Sequence, residues 1–181
     1  MQTITPQDVL EFWFGLPKEA HFTKDAALDA EIASRFGDAL EAAKAGSLDA
    51  WVETPDGALA MVILLDQYSR NIHRGSAETF AGDAKALAIA DELLRSGSYK
   101  QLPTDRVQWL VMPFMHSEQL ADQERCVELC KEHGLEGTVS YAIGHADIIR
   151  KFGRFPHRNG MLNRTMRPEE QAFLDDGGFT G

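Results

Sequence analysis

The chain has 181 residues and a formal net charge of −10, with 44% hydrophobic and 25% charged residues. These proportions are typical of a folded globular protein and exclude an intrinsically disordered chain. The acidic balance argues against general attraction to nucleic acid or anionic membranes, so we expect neither as a partner. The longest apolar run, residues 58–65, is much shorter than the ~20 residues that a membrane span needs.

The first residues carry no basic segment followed by an apolar run, so we expect no signal peptide and a cytoplasmic location. Cys126 and Cys130 lie on one face of a predicted helix, where a disulfide is unfavourable and two thiols alone form no zinc site. The sequence has no nucleotide-binding glycine loop and no zinc-protease motif. We therefore expect neither a cofactor nor a bound metal.

Helix signals follow one another along the first half of the chain. Thr5 and Thr54 each place a capping hydroxyl before a proline at the first helical position. Apolar residues at four-residue steps predict a helix over residues 24–45 that ends at Gly46. The helix after Thr54 is predicted to run to about residue 73.

Similar signals continue in the second half. Ser76 is predicted to cap a helix that ends at Gly97. Another helix begins at Thr104, and Pro113 must kink or split it because proline cannot complete the helical hydrogen bonds. The helical pattern then resumes and reaches Gly134.

Two further helices are predicted near the end, one over residues 138–152 that ends at Gly153 and a short one from Pro168. No segment alternates apolar and polar residues with β-branched enrichment, so strands are not expected. We predict an all-α protein of seven or eight helices. Residues 1–181 contain no linker, so we expect a single domain, and no tetratricopeptide repeat of about 34 residues is visible.

The segment LLDQYSRNIHRG, residues 64–75, ends a strongly apolar helix with a polar stripe. Asp66, Arg70 and His73 share one side of that helix. Because buried charge is costly unless it is paired, the stripe has two interpretations. In one, Asp66 and Arg70 form an ion pair, with His73 and Arg74 at the negative end of the helix dipole. In the other, the stripe lines a ligand cavity.

The segment MPFMHSEQLADQ, residues 112–123, contains two candidate catalytic residues, His116 and Glu118. They are two positions apart and do not face the same way on a helix, so they are no ready-made metal pair. Glu118 and Asp122 do share a face. If that face is buried, their like charges raise one pKa, as a general acid requires; if it is solvated, no function follows.

The segment YAIGHADIIRKFG, residues 141–153, contains a third histidine. His145 shares an apolar stripe with Ile148, so a core histidine is the favoured interpretation over a ligand-binding one. Asp147 and Lys151 lie one turn apart on the other face and are predicted to pair.

A basic segment overlaps this helix and continues through FGRFPHRNG. Between residues 145 and 168, six cationic side chains stand against one acid, for a net charge of +5. The cations are Arg150, Lys151, Arg154, Arg158, Arg164 and Arg167. Such a patch on an acidic body attracts an anion selectively, and the arginine fork suits carboxylate or phosphate. Alternatively, Arg154 and Arg158 bond helix carbonyls and acidic neighbours and so lock the loop.

The segments FWFG, ILLDQYSRNIHRG, MPFMHSEQLADQ and IIRKFGRFPHRN together resemble the bacterial family called domain of unknown function 924. The resemblance extends from Val9 to about Phe179. It implies an all-helical fold of stacked hairpins, similar to tetratricopeptide-repeat proteins, and no established activity. The family's polar motif positions fall here on Asp66, Gln67, Arg70, Asn71, Arg74, His116, Glu118, Asp122, Gln123, His145, Phe155, Pro156, His157, Arg158 and Asn159.

The chain departs from the family pattern before the last helix. Asn163 stands where the family has glycine, and Arg167 stands where it has a hydroxyl-bearing cap. The start of the last helix must therefore be built differently here.

Three functions are compatible with these residues. The first is a binding module for a small anionic ligand or a peptide on a concave helical surface. Its ligand-binding residues would be Asp66, Arg70, Asn71, His73, Arg74, Arg154, Arg158 and Asn159. The sequence does not predict an oligomeric state.

The second is an enzyme acting on a small anionic substrate. His116 or His157 would be the general acid or base, and Glu118 or Asp66 would orient it. A metal-dependent version would use His73, His116 and a carboxylate. The third is a purely structural role, in which the polar motifs form a buried network that holds the helices together.

Overall fold

The computed structural model describes residues 3–181, which contain α-helices, short 3₁₀ turns and no strand. The first two residues, part of the segment in which no signal peptide is expected, lie outside the described residues. The helices are α1 (Pro6–Gly15), α2 (Ala26–Lys44), α3 (Pro55–Val62), α4 (Ser69–Ile72), α5 (Asp83–Arg95), α6 (Val107–His116), α7 (Leu120–Glu132), α8 (Glu136–Phe152) and α9 (Pro168–Asp175).

A π-helical segment, Ile63–Tyr68, joins α3 to α4. One continuous helix therefore covers residues 55–72, close to the predicted range. Counted this way, the part of the chain that the structure describes has eight helices. The prediction of an all-α protein with seven or eight helices is confirmed.

The chain divides into two compact units. Unit 1 comprises the residues up to Arg74 together with Glu78–Pro113, and unit 2 comprises Gly75–Ala77 together with Phe114–Gly181. That the chain acts as a single domain stays a prediction. None of the helices in residues 3–181 combines the length and apolar character needed to cross a bilayer.

The continuous helix over residues 55–72 is the centre of unit 1. Residues 57–69 are all buried, because α1, α2 and α5 pack around them. Tyr68 is fully buried, packs against Trp13 with ring centroids 5.5 Å apart, and donates a hydrogen bond to the Val9 carbonyl at 3.0 Å. The all-round apolar run in the sequence thus corresponds to a central helix.

Two of the helix starts predicted in the first half of the chain are confirmed, and that at Ser76 is wrong. Thr5 and Thr54 accept hydrogen bonds from backbone N–H groups three residues later, at 3.3 and 3.2 Å. Ser76 caps no helix, since α5 begins only at Asp83. A 3₁₀ turn, Ala77–Phe80, follows Ser76 instead, and the backbone of Gly82 then passes so close to Leu65 that a Cβ there would lie 2.6 Å from the Leu65 carbonyl oxygen.

Unit 2 is built on the packing of α7 against α8. Its apolar cluster consists of Ile148, Ile149, Phe152 and Phe155, with Leu120 and Phe173 packed against it. Gly153 ends α8 in the left-handed conformation, with φ 72°, as the sequence predicts. Cys126 and Cys130 are buried, unbridged thiols on α7.

The helix through Pro113 is neither split nor ended at the proline. Helix α6 continues from Val107 to His116, and residues 117–119 then separate it from α7. Pro113 is the seventh residue of α6, beyond the first turn, so its missing N–H removes one internal helical hydrogen bond without ending the helix. The predicted resumption of the helix is confirmed at Leu120.

Candidate functional site

The polar stripe of unit 1 is a set of ion pairs. Asp66 is fully buried in the π-helical segment, and its Oδ1 lies 2.9 Å from Nη1 of Arg70. Arg70 also donates two hydrogen bonds to Asp83, at 2.9 and 3.0 Å. Gln67 donates to Asp66 at 2.6 Å. The guanidinium fork of Arg70 is therefore directed at two carboxylates of unit 1.

Arg74 and Asn71 both bind Asp29 of helix α2. Arg74 donates through Nε at 2.7 Å and Nη2 at 2.9 Å, and Asn71 donates at 2.7 Å. The hydrogen bond from Arg74 is the main reason that the pKa of Asp29 lies below its ordinary value. His73 lies nearby, with Nε2 3.6 Å from Glu41.

In unit 2, Glu118 binds Arg164 and the backbone of the basic loop. It accepts hydrogen bonds from Arg164 at 2.7 and 3.0 Å and from the Phe155 N–H at 2.8 Å. Burial favours its protonated form, but these bonds outweigh burial and lower its pKa. This is the opposite of the shift that a general acid requires. Asp122 instead accepts a 2.6 Å hydrogen bond from Ser117.

A second carboxylate, Glu170, organises the arginines of the basic segment. It is fully buried at the start of α9 and accepts hydrogen bonds from Arg154 at 2.6 and 2.8 Å. Arg167 donates through its side chain at 2.6 Å and its backbone at 2.8 Å, and Asn159 donates at 3.0 Å. The hydrogen bond from Arg154 is the main cause that lowers the pKa of Glu170 far below its usual range.

Sequence analysis did not identify Glu170 as a site residue. Its one local signal is its position three residues after Arg167, where an acidic side chain satisfies the first backbone N–H groups of a helix. The glutamate accepts from the backbone N–H of Arg167, which is the half of a capping box that needs no hydroxyl. Asn163 adopts φ 51°, which is the conformation that the family's glycine favours.

The remaining polar motif residues of unit 2 surround the ring of Phe155, which is fully buried. The His145 and His157 rings lie 5.5 and 5.6 Å from it between centroids. The guanidinium carbon of Arg158 lies 4.6 Å from its centre, and Arg158 is only 7% exposed. We call His145, Phe155, His157 and Arg158 the histidine–arginine cluster.

The surroundings of both imidazoles of the cluster lower their pKa and so favour the neutral form. Burial lowers the pKa of His157 to about 4, and the charge of Arg158 adds to the effect. The pKa of His145 is also lowered, mainly by burial, with contributions from His116 and Arg158. His116, at the end of α6, therefore belongs to the same electrostatic environment.

His157 has an unsatisfied polar atom. Its Nδ1 is buried, and no group in residues 3–181 forms a hydrogen bond to it. Buried polar atoms are nearly always hydrogen-bonded in folded proteins, so an exception indicates a candidate site for a ligand.

The C-terminal residues cover this cluster. The Phe179 ring lies 4.5 Å from that of His145 and 5.1 Å from that of His157. A Cβ added to Gly181 would lie 3.1 Å from Cδ2 of His157. Sequence analysis did not single out Phe179, because nothing local to residues 178–181 indicates which surface they cover.

Polar residues from two of the four family segments, MPFMHSEQLADQ and IIRKFGRFPHRN, thus lie in unit 2, while those of ILLDQYSRNIHRG lie in unit 1. The predicted core histidine, His145, is half-buried and joins His157, while the predicted pair of Asp147 with Lys151 is wrong. Asp147 binds Arg150 at 2.6 Å instead. In residues 3–181, no group of three or more His, Cys, Asp or Glu side chains is arranged to hold a metal ion.

Comparison with known proteins places the chain in a family. The family model described as a bacterial protein of unknown function (DUF924) matches residues 9–178. The chain belongs to this family. A solved structure of a protein of unknown function from Agrobacterium tumefaciens is 40% identical, with a TM-score of 0.89, and the match covers 95% of this chain and 97% of that one. Among curated proteins, none matches the chain.

Proposed function

We propose that the protein binds a small carboxylate or phosphate at the histidine–arginine cluster of unit 2. The buried Nδ1 of His157, which has no hydrogen-bond partner among the residues that the structure describes, carries this proposal. A buried polar atom left unsatisfied costs about 1–3 kcal/mol. A ligand that forms a hydrogen bond there would recover part of that free energy.

The charge of the cluster favours an anion. Arg158 is almost completely buried, and burial, with a smaller contribution from the charge of Arg158, lowers the pKa of both His145 and His157. A field that opposes protonation of two imidazoles attracts a negatively charged group at the same place. The planar guanidinium suits the paired oxygens of carboxylate and phosphate.

Three other predicted ligand-binding arginines bind carboxylates outside the cluster. Arg70, Arg74 and Arg154 each direct two hydrogen bonds at one carboxylate, on Asp83, Asp29 and Glu170. Asn71 and Asn159 bind two of the same carboxylates. These contacts favour a role in helix packing for the five side chains, so the proposed site is smaller than the set predicted from sequence.

Binding is favoured over catalysis because of the histidine pKa. A general base is most effective when its pKa lies near the working pH, whereas that of His157 is lowered to about 4. A neutral imidazole in a positive environment is well suited to hydrogen-bond an anion. It is a weak base for removing a proton.

Thermal unfolding with increasing phosphate or acetate, at constant ionic strength, tests the proposal. A ligand at ~100 times its dissociation constant adds ~2.7 kcal/mol to the free energy of unfolding. We expect a concentration-dependent rise in Tm for the full chain. We expect His157→Gln and Arg158→Lys to reduce this rise at least about tenfold in apparent affinity, since each loses a specific geometry.

Arg125→Lys is the matched control. Arg125 is exposed and pairs with Glu128 and Glu132 on the surface of α7, outside the cluster. Its substitution should leave the anion-dependent rise unchanged. A Tm that does not depend on either anion, or one that rises equally in all four proteins, would exclude the proposed site.

A further inference from the structure

A groove of about 390 Å³ adjoins the histidine–arginine cluster in unit 2. It lies along helix α8 and is closed on the other side by Phe173 of α9 and by Phe179. This volume falls within the range of small-molecule sites. The groove shares His145 with the cluster, and Phe179 lines the groove while packing against both imidazoles, so the two are continuous.

The walls of the groove are mainly apolar. Ile148, Phe152 and Phe173 line it, together with Tyr141, which has 66% of its surface exposed. Phe179 is 39% exposed beside it. Neighbouring aromatic side chains that remain exposed to solvent beside a groove are typical of a site that binds a ligand or a partner.

The charges of the groove are unequal. Asp147 lines it, but Arg150 binds that carboxylate at 2.6 Å and neutralises it. Lys151 also lines the groove, with its ammonium nitrogen 4.9 Å from the Phe152 ring centre and 5.8 Å from that of Phe173. Lys151 therefore places a positive charge next to the aromatic rings of the groove, and Arg158 adds a second one in the adjoining cluster. These two charges favour an anionic ligand over a neutral or cationic one.

We infer that the natural ligand is an organic anion in which a carboxylate or phosphate is attached to an aromatic or branched apolar group. The anionic group binds at the histidine–arginine cluster, and the apolar group lies in the groove along Ile148, Phe152 and Phe173. This inference rests on the proposed function and specifies its ligand class. The ring of Phe179, packed against both imidazoles, shows that this region accommodates an aromatic group.

Isothermal titration of the full chain with matched pairs of anions tests the ligand class. The pairs are 3-phenylpropionate against acetate, and phenyl phosphate against inorganic phosphate. We expect each phenyl compound to bind at least about tenfold more tightly than its partner, because burial of the ring adds apolar contact. The neutral amide, 3-phenylpropionamide, should bind at least about tenfold more weakly than 3-phenylpropionate.

Two exposed side chains on α8 provide a matched pair of variants. Tyr141→Ser removes an aromatic wall of the groove, whereas Ile143→Ser removes a side chain that is 43% exposed and lines a different depression. We expect Tyr141→Ser to weaken binding of 3-phenylpropionate about threefold or more without changing acetate binding. Ile143→Ser should change neither.

The outcomes separate this inference from the proposed function. If acetate and phosphate bind but the phenyl compounds bind no more tightly, the organic-anion inference is wrong and the anion site stands. If none of the anions binds, both are wrong. If the amide binds as tightly as 3-phenylpropionate, the groove binds neutral apolar molecules and the inferred ligand class is overturned.

Discussion

The ring of Phe179 packs against that of His145 at 4.5 Å between centroids, at a tilt of 60°. This contact joins the C-terminal residues to helix α8 and removes part of the imidazole from water. Because loss of water disfavours the charged form, the same contact helps to keep His145 neutral.

Phe179→Ala should therefore raise the pKa of both His145 and His157 towards 6.5, the ordinary value for histidine. Titration of the imidazole C–H resonances by NMR measures both values directly. Phe22→Ala is the control, since Phe22 is an exposed aromatic residue of unit 1 that packs against Trp109. If Phe179→Ala leaves both values unchanged, the C-terminal residues do not cover the cluster in solution.

The free energy of unfolding should fall as the pH falls from about 6.5 to about 4. In this range the unfolded chain binds a proton at His157, whereas the folded chain does not until about pH 4. After allowance for partial exposure, we expect a loss of about 1–3 kcal/mol from this residue. Urea unfolding at a series of pH values measures it. In His157→Gln the slope over the same range should be smaller; an equal slope would contradict the lowered pKa.

Glu118→Gln should lower the free energy of unfolding by about 1–3 kcal/mol, because the Arg164 fork loses its carboxylate. Glu124→Gln is the control, since Glu124 is exposed and pairs with Arg150 only at 3.4 Å. Its effect should lie within about 0.5 kcal/mol. Denaturant unfolding of the two variants measures the difference. Equal free energies of unfolding would show that Glu118 does not stabilise the basic loop around Phe155.

Arg70→Lys should destabilise unit 1 and leave anion affinity unchanged. Lysine keeps the charge but cannot make the two parallel bonds to Asp83. Arg95→Lys, at an exposed position on α5, should leave the free energy of unfolding nearly unaltered. Denaturant unfolding measures the stability of both variants, and titration with phosphate measures their anion affinity. Lower affinity at full stability would instead support the sequence-based prediction that Arg70 binds the ligand.

Several features of unit 1 follow from the sequence because they depend on local chemistry. The caps at Thr5 and Thr54 need only a hydroxyl and a backbone N–H three residues away. The central helix is predicted by the apolar run over residues 58–65, because a helix at the surface would need polar residues on its exposed side. The start of α5 does not follow from local signals: Ser76 precedes a 3₁₀ turn, and Gly82, just before α5, packs against Leu65, seventeen positions away in the chain.

In the site, the sequence by itself determined which residue types are present: imidazoles, arginines and carboxylates in an otherwise acidic chain. Only the tertiary structure decided how they pair. Glu170 forms an ion pair with Arg154, and Glu118 forms one with Arg164. The ring of Phe155 contacts the side chains of His145, His157 and Arg158. Charged side chains have long reach and many possible partners, so pairing depends on which helices pack together, and that is a property of the whole core.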